Sequence, residues 1–253
     1  MVNEYPSYDQ QKQYYDARWA NWVSHRRCAD ELCRINFIIR WVRRIYSNSS
    51  RTQKIIDLGC GSGWITNALS RYGNAVGVDF SVSIGRASYP NLKFIEANII
   101  TDKVEGIYDI VVSSEVIEHM TCGDQQLYVS KAAALLDNGG LLILTTPNKP
   151  IAQQLYKDIS RDQLQPIENW LDKDTLSTLL DSYFKIKFIG TTMFSPSFTR
   201  RNKYFDFAFD LLHVRLIKSY KLVNRILSTN MSGRYLTAVA QKRDQQAASF
   251  SKP

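Results

Sequence analysis

Long apolar runs are absent from this chain of 253 residues. Its strongly apolar stretches are only a few residues long, whereas a helix needs about 20 apolar residues to cross a bilayer. The segment 1–22 is polar and aromatic, so it lacks the charged and then apolar pattern of a secretory signal. We therefore expect a cytoplasmic protein without a membrane-spanning helix, with peripheral contact to a membrane surface as an alternative.

Cysteine is also sparse, and its spacing excludes two common uses of the residue. The four cysteines, Cys28, Cys33, Cys60 and Cys122, form neither a Cys-x-x-Cys pair nor the spacing of a disulfide framework. We expect reduced thiols, as in an intracellular protein.

Internal repeats and low-complexity segments are missing too, which argues against a repeat array.

Positive charge is what the chain has in excess. It has 32 Lys and Arg residues against 24 Asp and Glu, a formal net charge of +8. Such a balance favours anionic partners: nucleic acid, phosphorylated small molecules or a membrane surface. The cationic side chains are spread along the chain, so charge alone does not decide between these partners.

Pattern and composition divide the chain into three parts. They predict an N-terminal arm and helix over 1–50, one α/β domain over 51–240 with a helical insertion at about 195–230, and a disordered tail over 241–253. The aromatic-rich arm is interpreted either as a helix that closes the core or as a lid over a ligand site. The arginines of its amphipathic helix form either a solvated face or a nucleic-acid face.

Short apolar strands alternate with helical patterns through the α/β domain. The predicted strands are 55–58, 75–79, 92–96, 108–113, 141–145, 184–192 and 234–240. The predicted helices are 25–46, 65–69, 82–88, 124–136, 171–183 and 203–228, with a turn at 138–140 and an irregular path over 150–170. This alternation predicts a mainly parallel sheet with helices on both faces, which binds its ligand at the carboxyl ends of the strands.

The most distinctive stretch is Ile55–Trp64, an apolar strand that turns through three alternate glycines into a helix. A helix N-terminus presents backbone N–H groups and the positive end of the helix dipole, and glycines let a ligand approach closely. A dinucleotide fingerprint is Gly-x-Gly-x-x-Gly, but here Trp64 stands where the third glycine is needed. No Gly-Lys-Ser/Thr follows, which excludes a phosphate-binding P-loop.

A set of motifs at matching spacing resembles class I S-adenosylmethionine-dependent methyltransferases. Residues 57–63 (Asp-Leu-Gly-Cys-Gly-Ser-Gly) resemble the first motif, and Asp79 ends the second strand. Residues 108–114 resemble the fourth strand, and 136–148 resemble the fifth strand and its end. Residues 115–119 (Glu-Val-Ile-Glu-His) are similar to the signature of the branch that includes ubiquinone-biosynthesis and natural-product methyltransferases.

This resemblance implies a Rossmann-like sheet of seven strands, mainly parallel with an antiparallel last strand, and S-adenosyl-L-methionine as the cofactor. Asp57 would support the turn and the cofactor's ammonium group, and Asp79 would accept hydrogen bonds from the ribose hydroxyls. Asn98 stands where the family often has an acidic residue facing the adenine amine, and the neutral amide would cost about 1 kcal/mol. The residues assigned to cofactor binding are Asp57, Gly59, Cys60, Gly61, Gly63, Asp79, Phe80, Asn98, Ile99, Ser114 and Glu115.

Methyl transfer depends mainly on in-line alignment, and a hydroxyl acceptor also benefits from a base. His119 is the candidate base, with Glu115 beside it; the alternative is a histidine that caps or packs. Tyr14, Tyr15 and Trp19 are predicted to line the substrate site or its lid. A related RNA-methylating group binds a metal through a similar Glu-x-x-Glu-His and a further downstream histidine, which 158–169 lacks, so we predict no metal.

Residues 203–228 carry an apolar stripe at helical spacing surrounded by lysines and arginines. This is typical of a helix packed on the body or in a homodimer, or of a basic helix on an anionic membrane.

Taken together, the motifs predict transfer of a methyl group to an oxygen, less favourably a nitrogen, of a small-molecule, glycan or lipid-like acceptor in biosynthesis. The alternatives are an RNA-modifying methyltransferase and a non-catalytic binding module.

Overall fold

The computed structural model describes residues 5–20, 29–160, 164–194 and 231–244. The strands are β1 (Gln53–Leu58), β2 (Gly73–Asp79), β3 (Lys93–Glu96), β4 (Tyr108–Ser114), β5 (Leu136–Pro147), β6 (Phe184–Phe194) and β7 (Gly233–Lys242). The helices are α1 (Tyr8–Ala20), α2 (Ala29–Ser47), α3 (Trp64–Leu69), α4 (Ser83–Ser88), α5 (Cys122–Ala134), α6 (Lys149–Leu155) and α7 (Lys173–Asp181), with a 3₁₀ helix at Ile117–His119. Among these helices, none has the length and apolar character needed to cross a membrane.

The seven strands form one sheet in the order β3-β2-β1-β4-β5-β7-β6. β1 pairs in parallel with β2 and β4, β2 with β3, and β4 with β5. β7 lies antiparallel between β5 and β6. The predicted fold, a mainly parallel sheet with an antiparallel last strand, is confirmed.

The central strands are apolar along most of their length because helices cover both faces of the sheet. Ile55, Ile56 and Leu58 of β1 are fully buried, as expected for a parallel strand with two covered faces. α2 and α3 pack on one face, where Ile38 and Val42 have no exposed surface. Side chains of α5 and α7 form the core on the other face. Burying each such aliphatic side chain contributes about 1.5–3 kcal/mol.

The chain reverses direction across the sheet between β1 and β4. From β1 the chain moves outward through β2 and β3, then returns to pair β4 with the other edge of β1. The carboxyl ends of β1 and β4 therefore flank a crevice, which is where open α/β sheets bind ligands. The glycine turn and the Glu115–His119 segment both start at this crevice.

Three local predictions need correction. α6 was not predicted, although Pro150 near its start is well placed in a first helical turn. Residues 138–140 lie within the bounds of β5 as an irregular stretch, where Tyr108 pairs with Leu136 but Ile110 with Leu141. β7 runs to Lys242, two residues past its predicted end at 240, so a tail starting at 241 was placed too early.

Some predictions fall outside the described residues. These are the insertion at 195–230 with its helix 203–228, the first turn of the helix predicted over 25–46, and the tail beyond 244. The division of the chain into an arm, a domain and a tail stays a prediction.

Candidate active site

The glycine turn between β1 and α3 is shaped by its backbone. Gly59, Gly61 and Gly63 all have positive φ, at 74°, 49° and 78°, a conformation that glycine adopts without strain. The Gly59 N–H donates to the Val78 carbonyl oxygen at 2.8 Å, which joins the turn to the end of β2. A Cβ on Gly59 would overlap the Val116 side chain, and one on Gly61 would lie 2.6 Å from the Trp19 ring. The close packing of Val116 and Trp19 against this turn thus depends on glycine at both positions.

Asp57 lies beneath the turn. Its side chain is buried, and Thr66 of α3 donates its hydroxyl to the Asp57 Oδ2 at 2.7 Å. Burial raises the Asp57 pKa to about 7, with the nearby Asp79 carboxyl adding to the rise. Asp57 therefore ties β1 to α3 from inside. It does not line the ligand cavity, so its predicted contact with the cofactor ammonium group stays a prediction.

Asp79 closes β2 at the rim of the same turn. Its carboxylate accepts from the Gly61 N–H and the Ser81 N–H, each at 2.9 Å. Burial raises the Asp79 pKa to about 6, opposed by these backbone hydrogen bonds. The side chain reaches the cavity wall beside Phe80. A carboxylate held in this way still has lone pairs for two ribose hydroxyls.

Asn98 follows β3 and lines the same cavity with Ile99. Its side-chain amide oxygen accepts from the Ile100 N–H at 2.8 Å, and its backbone N–H donates to the Asp102 carboxylate at 2.8 Å. The amide oxygen has a second lone pair for an adenine amine. The Asn98 side chain therefore shapes its loop, and its contact with adenine stays a prediction.

One cavity of about 450 Å³ brings most of the predicted site residues together. Its volume is within the usual range of about 300–1,000 Å³ for small-molecule sites. The predicted residues on its wall are Tyr15, Trp19, Gly59, Cys60, Gly61, Asp79, Phe80, Asn98, Ile99, Ser114, Glu115 and His119. Asp57, Gly63 and Tyr14 are not on the wall.

Helix α1 lies across this cavity. Trp19 covers Gly61, and the Tyr15 hydroxyl donates to the Gln165 side-chain oxygen at 2.9 Å. Lys12 donates to the Phe80 carbonyl oxygen and to Glu96, the latter at 3.1 Å. This placement fits the lid interpretation of the arm. Tyr14 instead packs on the Tyr15 ring, with the ring centres 5.1 Å apart.

Glu115 follows β4 in a strained conformation. Its φ is 59°, which is uncommon for a residue with a side chain and costs about 1–3 kcal/mol. The Thr145 hydroxyl donates to the Glu115 Oε1 at 3.1 Å, and Arg34 lies 3.9 Å from Oε2. Burial raises the Glu115 pKa to about 8, although the positive Arg34 opposes the rise. The raised pKa favours the protonated form of this carboxyl, which cannot accept a proton.

His119 is oriented by a backbone carbonyl. Its Nδ1 lies 2.9 Å from the Ile167 carbonyl oxygen; since that oxygen only accepts, Nδ1 carries the proton and donates. In the neutral imidazole the free lone pair is then on Nε2. The nearest carboxylate to Nε2 is Glu118, whose Oε1 is 3.7 Å away, longer than a hydrogen bond. Burial lowers the His119 pKa, which favours the neutral form.

A second, smaller cavity of about 250 Å³ adjoins the first. The two cavities share Arg18, Arg34, Glu115, His119 and Gln165 on their walls. The rest of the smaller cavity is mainly polar and aromatic, being lined by Asp30, Glu118, Pro147, Ala152, Leu155, Tyr156, Glu168, Trp170, Arg234 and Tyr235. His119 and Glu115 therefore stand where the two spaces meet.

Sequence reasoning missed the segment that forms the far wall of this junction. Gln165, Ile167 and Glu168 each contact His119 or helix α1, yet they lie in a stretch without periodicity or motif. No local sequence pattern shows that residues 164–170 pack beside His119, so these three residues could not be found from the sequence.

In the part of the chain that the structure describes, no three His, Cys, Asp or Glu side chains are grouped so as to hold a metal.

Comparison with known proteins identifies the family. A family described as a methyltransferase domain matches residues 25–208, most of the chain. The chain belongs to this family. The methyltransferase is 30% identical over 150 residues to the ubiquinone biosynthesis O-methyltransferase of Coxiella burnetii (strain Dugway 5J108-111), a match that covers 54% of this chain and 62% of that relative. The methyltransferase thus matches less than two thirds of the length of that curated relative.

Solved structures show the same fold. The N-methyltransferase NodS from Bradyrhizobium japonicum WM9, in complex with S-adenosyl-L-homocysteine, has a TM-score of 0.61 at 11% identity, covering 92% of this chain and 99% of that one. Magnesium protoporphyrin IX methyltransferase from Synechocystis PCC 6803 has a TM-score of 0.59 at 15% identity, covering 94% and 96%. At such identities the likeness concerns the fold.

The cofactor predicted from the sequence is S-adenosyl-L-methionine, and the NodS structure holds S-adenosyl-L-homocysteine, the form of that cofactor after methyl transfer. The larger cavity fits S-adenosyl-L-methionine chemically: Asp79 offers a carboxylate for the ribose, and the backbone at Gly59 and Gly61 forms part of the cavity wall. Ile99 offers an apolar surface for the base. When bound, the cofactor supplies a methyl group activated on a sulfonium.

Proposed function

We propose that this methyltransferase transfers a methyl group to a hydroxyl oxygen of a small polar acceptor, with His119 as the general base. The observation that carries the proposal is the 2.9 Å contact between His119 Nδ1 and the Ile167 carbonyl oxygen. It leaves the Nε2 lone pair available at the junction of the two cavities. A base at that point can take the proton of an acceptor held in the smaller cavity.

Two buried glutamates near His119 are less suited to this role. Burial raises the pKa values of Glu115 and Glu118 to about 8 each, which favours their protonated forms. His119 has the opposite shift, because burial lowers its pKa and favours the neutral imidazole. The neutral form is the one that can accept a proton.

The proposed step balances in atoms and charge. The acceptor oxygen forms a bond to the methyl carbon as the carbon–sulfur bond breaks, and the acceptor proton moves to His119 Nε2. The sulfonium charge is lost from the leaving thioether and appears on the imidazolium. Alignment of the two partners across the junction supplies most of the rate enhancement.

The size and lining of the smaller cavity support a compact polar acceptor. Its volume of about 250 Å³ is enclosed by arginines, carboxyls and the aromatic side chains of Tyr156, Trp170 and Tyr235. The name of the Coxiella relative supports oxygen as the accepting atom, over the matched 54% of the chain. No observation in the described residues specifically favours the RNA alternative; Arg40, Arg43 and Arg44 of α2 are exposed away from the site.

The test compares hydroxyl acceptors with their amino counterparts. A panel of small phenols, catechols and sugars, each matched with its amino analogue, is incubated with the protein and methyl-labelled S-adenosylmethionine. We expect methyl transfer to hydroxyl compounds, and a fall in kcat of about 100-fold or more in His119→Asn with S-adenosylhomocysteine affinity unchanged within about twofold. Transfer to the amines alone, or full kcat in His119→Asn, would overturn the proposal.

A further inference from the structure

The segment 164–170 is fixed against the 3₁₀ helix that carries His119. The Asn169 N–H donates to the Glu118 carbonyl oxygen at 2.7 Å. Gln125 of α5 bridges the two, because its side-chain nitrogen donates to the Ile117 and Asn169 carbonyl oxygens, both at 3.0 Å. The partners of the imidazole on this segment therefore keep a defined position relative to His119.

Glu168 extends from this segment toward the imidazole. Its Oε1 lies 3.9 Å from His119 Nδ1, and its side chain is 9% exposed. The indole N–H of Trp170 donates to the Glu168 Oε2 at 2.6 Å. One carboxylate oxygen is thus held by Trp170 while the other faces the protonated nitrogen of His119.

The remaining charged and titratable groups around His119 act differently. Arg18 of α1 disfavours a positive imidazole, and the Tyr15 ring lies 6.1 Å from the imidazole centre. Glu118, on the Nε2 side, has its pKa raised to about 8 by burial, which disfavours its charged form. Among the described residues, Glu168 is the group whose negative charge most favours a positive imidazole.

We propose that Glu168 is a positioning residue whose carboxylate stabilises the imidazolium formed when His119 Nε2 takes the acceptor proton. The Ile167 carbonyl oxygen keeps the proton of the neutral imidazole on Nδ1. The negative charge of Glu168 then makes Nε2 a stronger base. An opposite charge within about 4–6 Å is known to favour the charged form of a titrating group. This proposal rests on the proposed function for its catalytic consequence, but the electrostatic coupling itself can be measured without an acceptor.

The test is an NMR titration of the histidine ring protons in the full chain with S-adenosylhomocysteine bound. The chain has three histidines, and the His119→Asn spectrum identifies the signal of His119. In Glu168→Gln, which keeps the size and an acceptor for Trp170, we expect the His119 titration to move to lower pH. Trp170→Phe, which removes the donor to Glu168, should move it the same way by less. Glu105→Gln, an exposed pair with Lys103, is the matched control and should leave it unchanged.

The kinetic readout separates positioning from a purely structural role. With an acceptor from the panel, Glu168→Gln should lower kcat about 10-fold, leave KM within about twofold, and move the acidic limb of the kcat–pH profile to lower pH. A fall in kcat without that movement, or an unmoved His119 titration, would overturn the proposal. A shifted NMR titration together with full kcat in His119→Asn would instead refute the proposed base and leave the measured coupling standing.

Discussion

The two cavities that meet at His119 are built in different ways. The larger cavity, the proposed cofactor side, has a wall made largely by backbone at one end: strand ends, a turn of positive-φ glycines, and an aspartate held by two main-chain N–H groups. The smaller cavity, the proposed acceptor side, is defined by side chains that come from α2, α6, the segment 164–170 and the start of β7. A site made of backbone fits one ligand and changes little, whereas a wall of side chains can be altered one residue at a time.

The largest expected effect comes from adding a side chain to the glycine turn of the larger cavity. Gly59→Val places a branched side chain where a Cβ already overlaps Val116, at a φ of 74°. We expect S-adenosylhomocysteine binding to weaken by at least about 100-fold in calorimetry, since clash and strain together exceed about 3 kcal/mol. Gly123→Ala on α5 is the matched control: its nearest neighbour is 4.0 Å away, so it should bind normally. Normal binding of S-adenosylhomocysteine by Gly59→Val would contradict the view that the turn requires glycine at this position.

A smaller effect is expected from pH on the cofactor side. The Asp79 pKa is raised to about 6 by burial, and ribose hydroxyls donate to the ionised carboxylate, so binding favours the deprotonated form. Affinity for S-adenosylhomocysteine should therefore rise about tenfold between pH 5 and pH 7. Asp79→Asn should bind about 10-fold more weakly at pH 7 and lose most of this dependence.

The control for this prediction lies at the opposite end of the strands. Asp109→Asn removes a carboxylate that accepts from the Lys54 N–H at 2.8 Å at the amino end of β4. It should retain both the affinity and its pH dependence. If Asp79→Asn kept the full dependence, the titration would belong to Asp57, whose pKa is raised to about 7.

The smallest effect concerns the contact between the lid and the acceptor side. Tyr15→Phe removes the hydroxyl that donates to Gln165 at 2.9 Å, and one such hydrogen bond contributes about 0.5–1.5 kcal/mol. We expect S-adenosylhomocysteine affinity to fall about two- to tenfold. A double-mutant cycle with Gln165→Ala should show coupling between the two sites. Additive losses would mean that the lid and the acceptor wall act independently.

The cofactor side could be predicted because its chemistry requires particular residues in a short stretch. The glycines at 59 and 61 and the aspartate at the end of β2 were all assigned from the chain, and they lie around one cavity. The sheet was predictable for a related reason, since strands buried on both faces show as apolar runs between helical patterns. Asp57 differs in that it supports the turn from beneath and does not reach the cavity wall.

The acceptor side was not predictable, because its residues are brought together by contacts far apart in the sequence. Glu168 acquires its place through a hydrogen bond from the Asn169 N–H to the Glu118 carbonyl oxygen, and no local pattern records that pairing. α6 was missed because a short helix starting near a proline has little periodicity to show. The orientation of His119 likewise depends on a carbonyl oxygen, which every residue possesses.

The antiparallel placement of β7 has a consequence for how such a protein could diversify. Phe194 at the end of β6 pairs with Gly233 at the start of β7, and Tyr235 pairs with Pro147 at the end of β5. The chain thus leaves and re-enters the sheet at the edge where Arg234 and Tyr235 meet the acceptor cavity. β7 pairs with β5 and β6, whereas the glycine turn and Asp79 belong to β1 and β2. Substitutions at Arg234 and Tyr235 would thus change the smaller cavity from strands that do not pair with those carrying the glycine turn and Asp79.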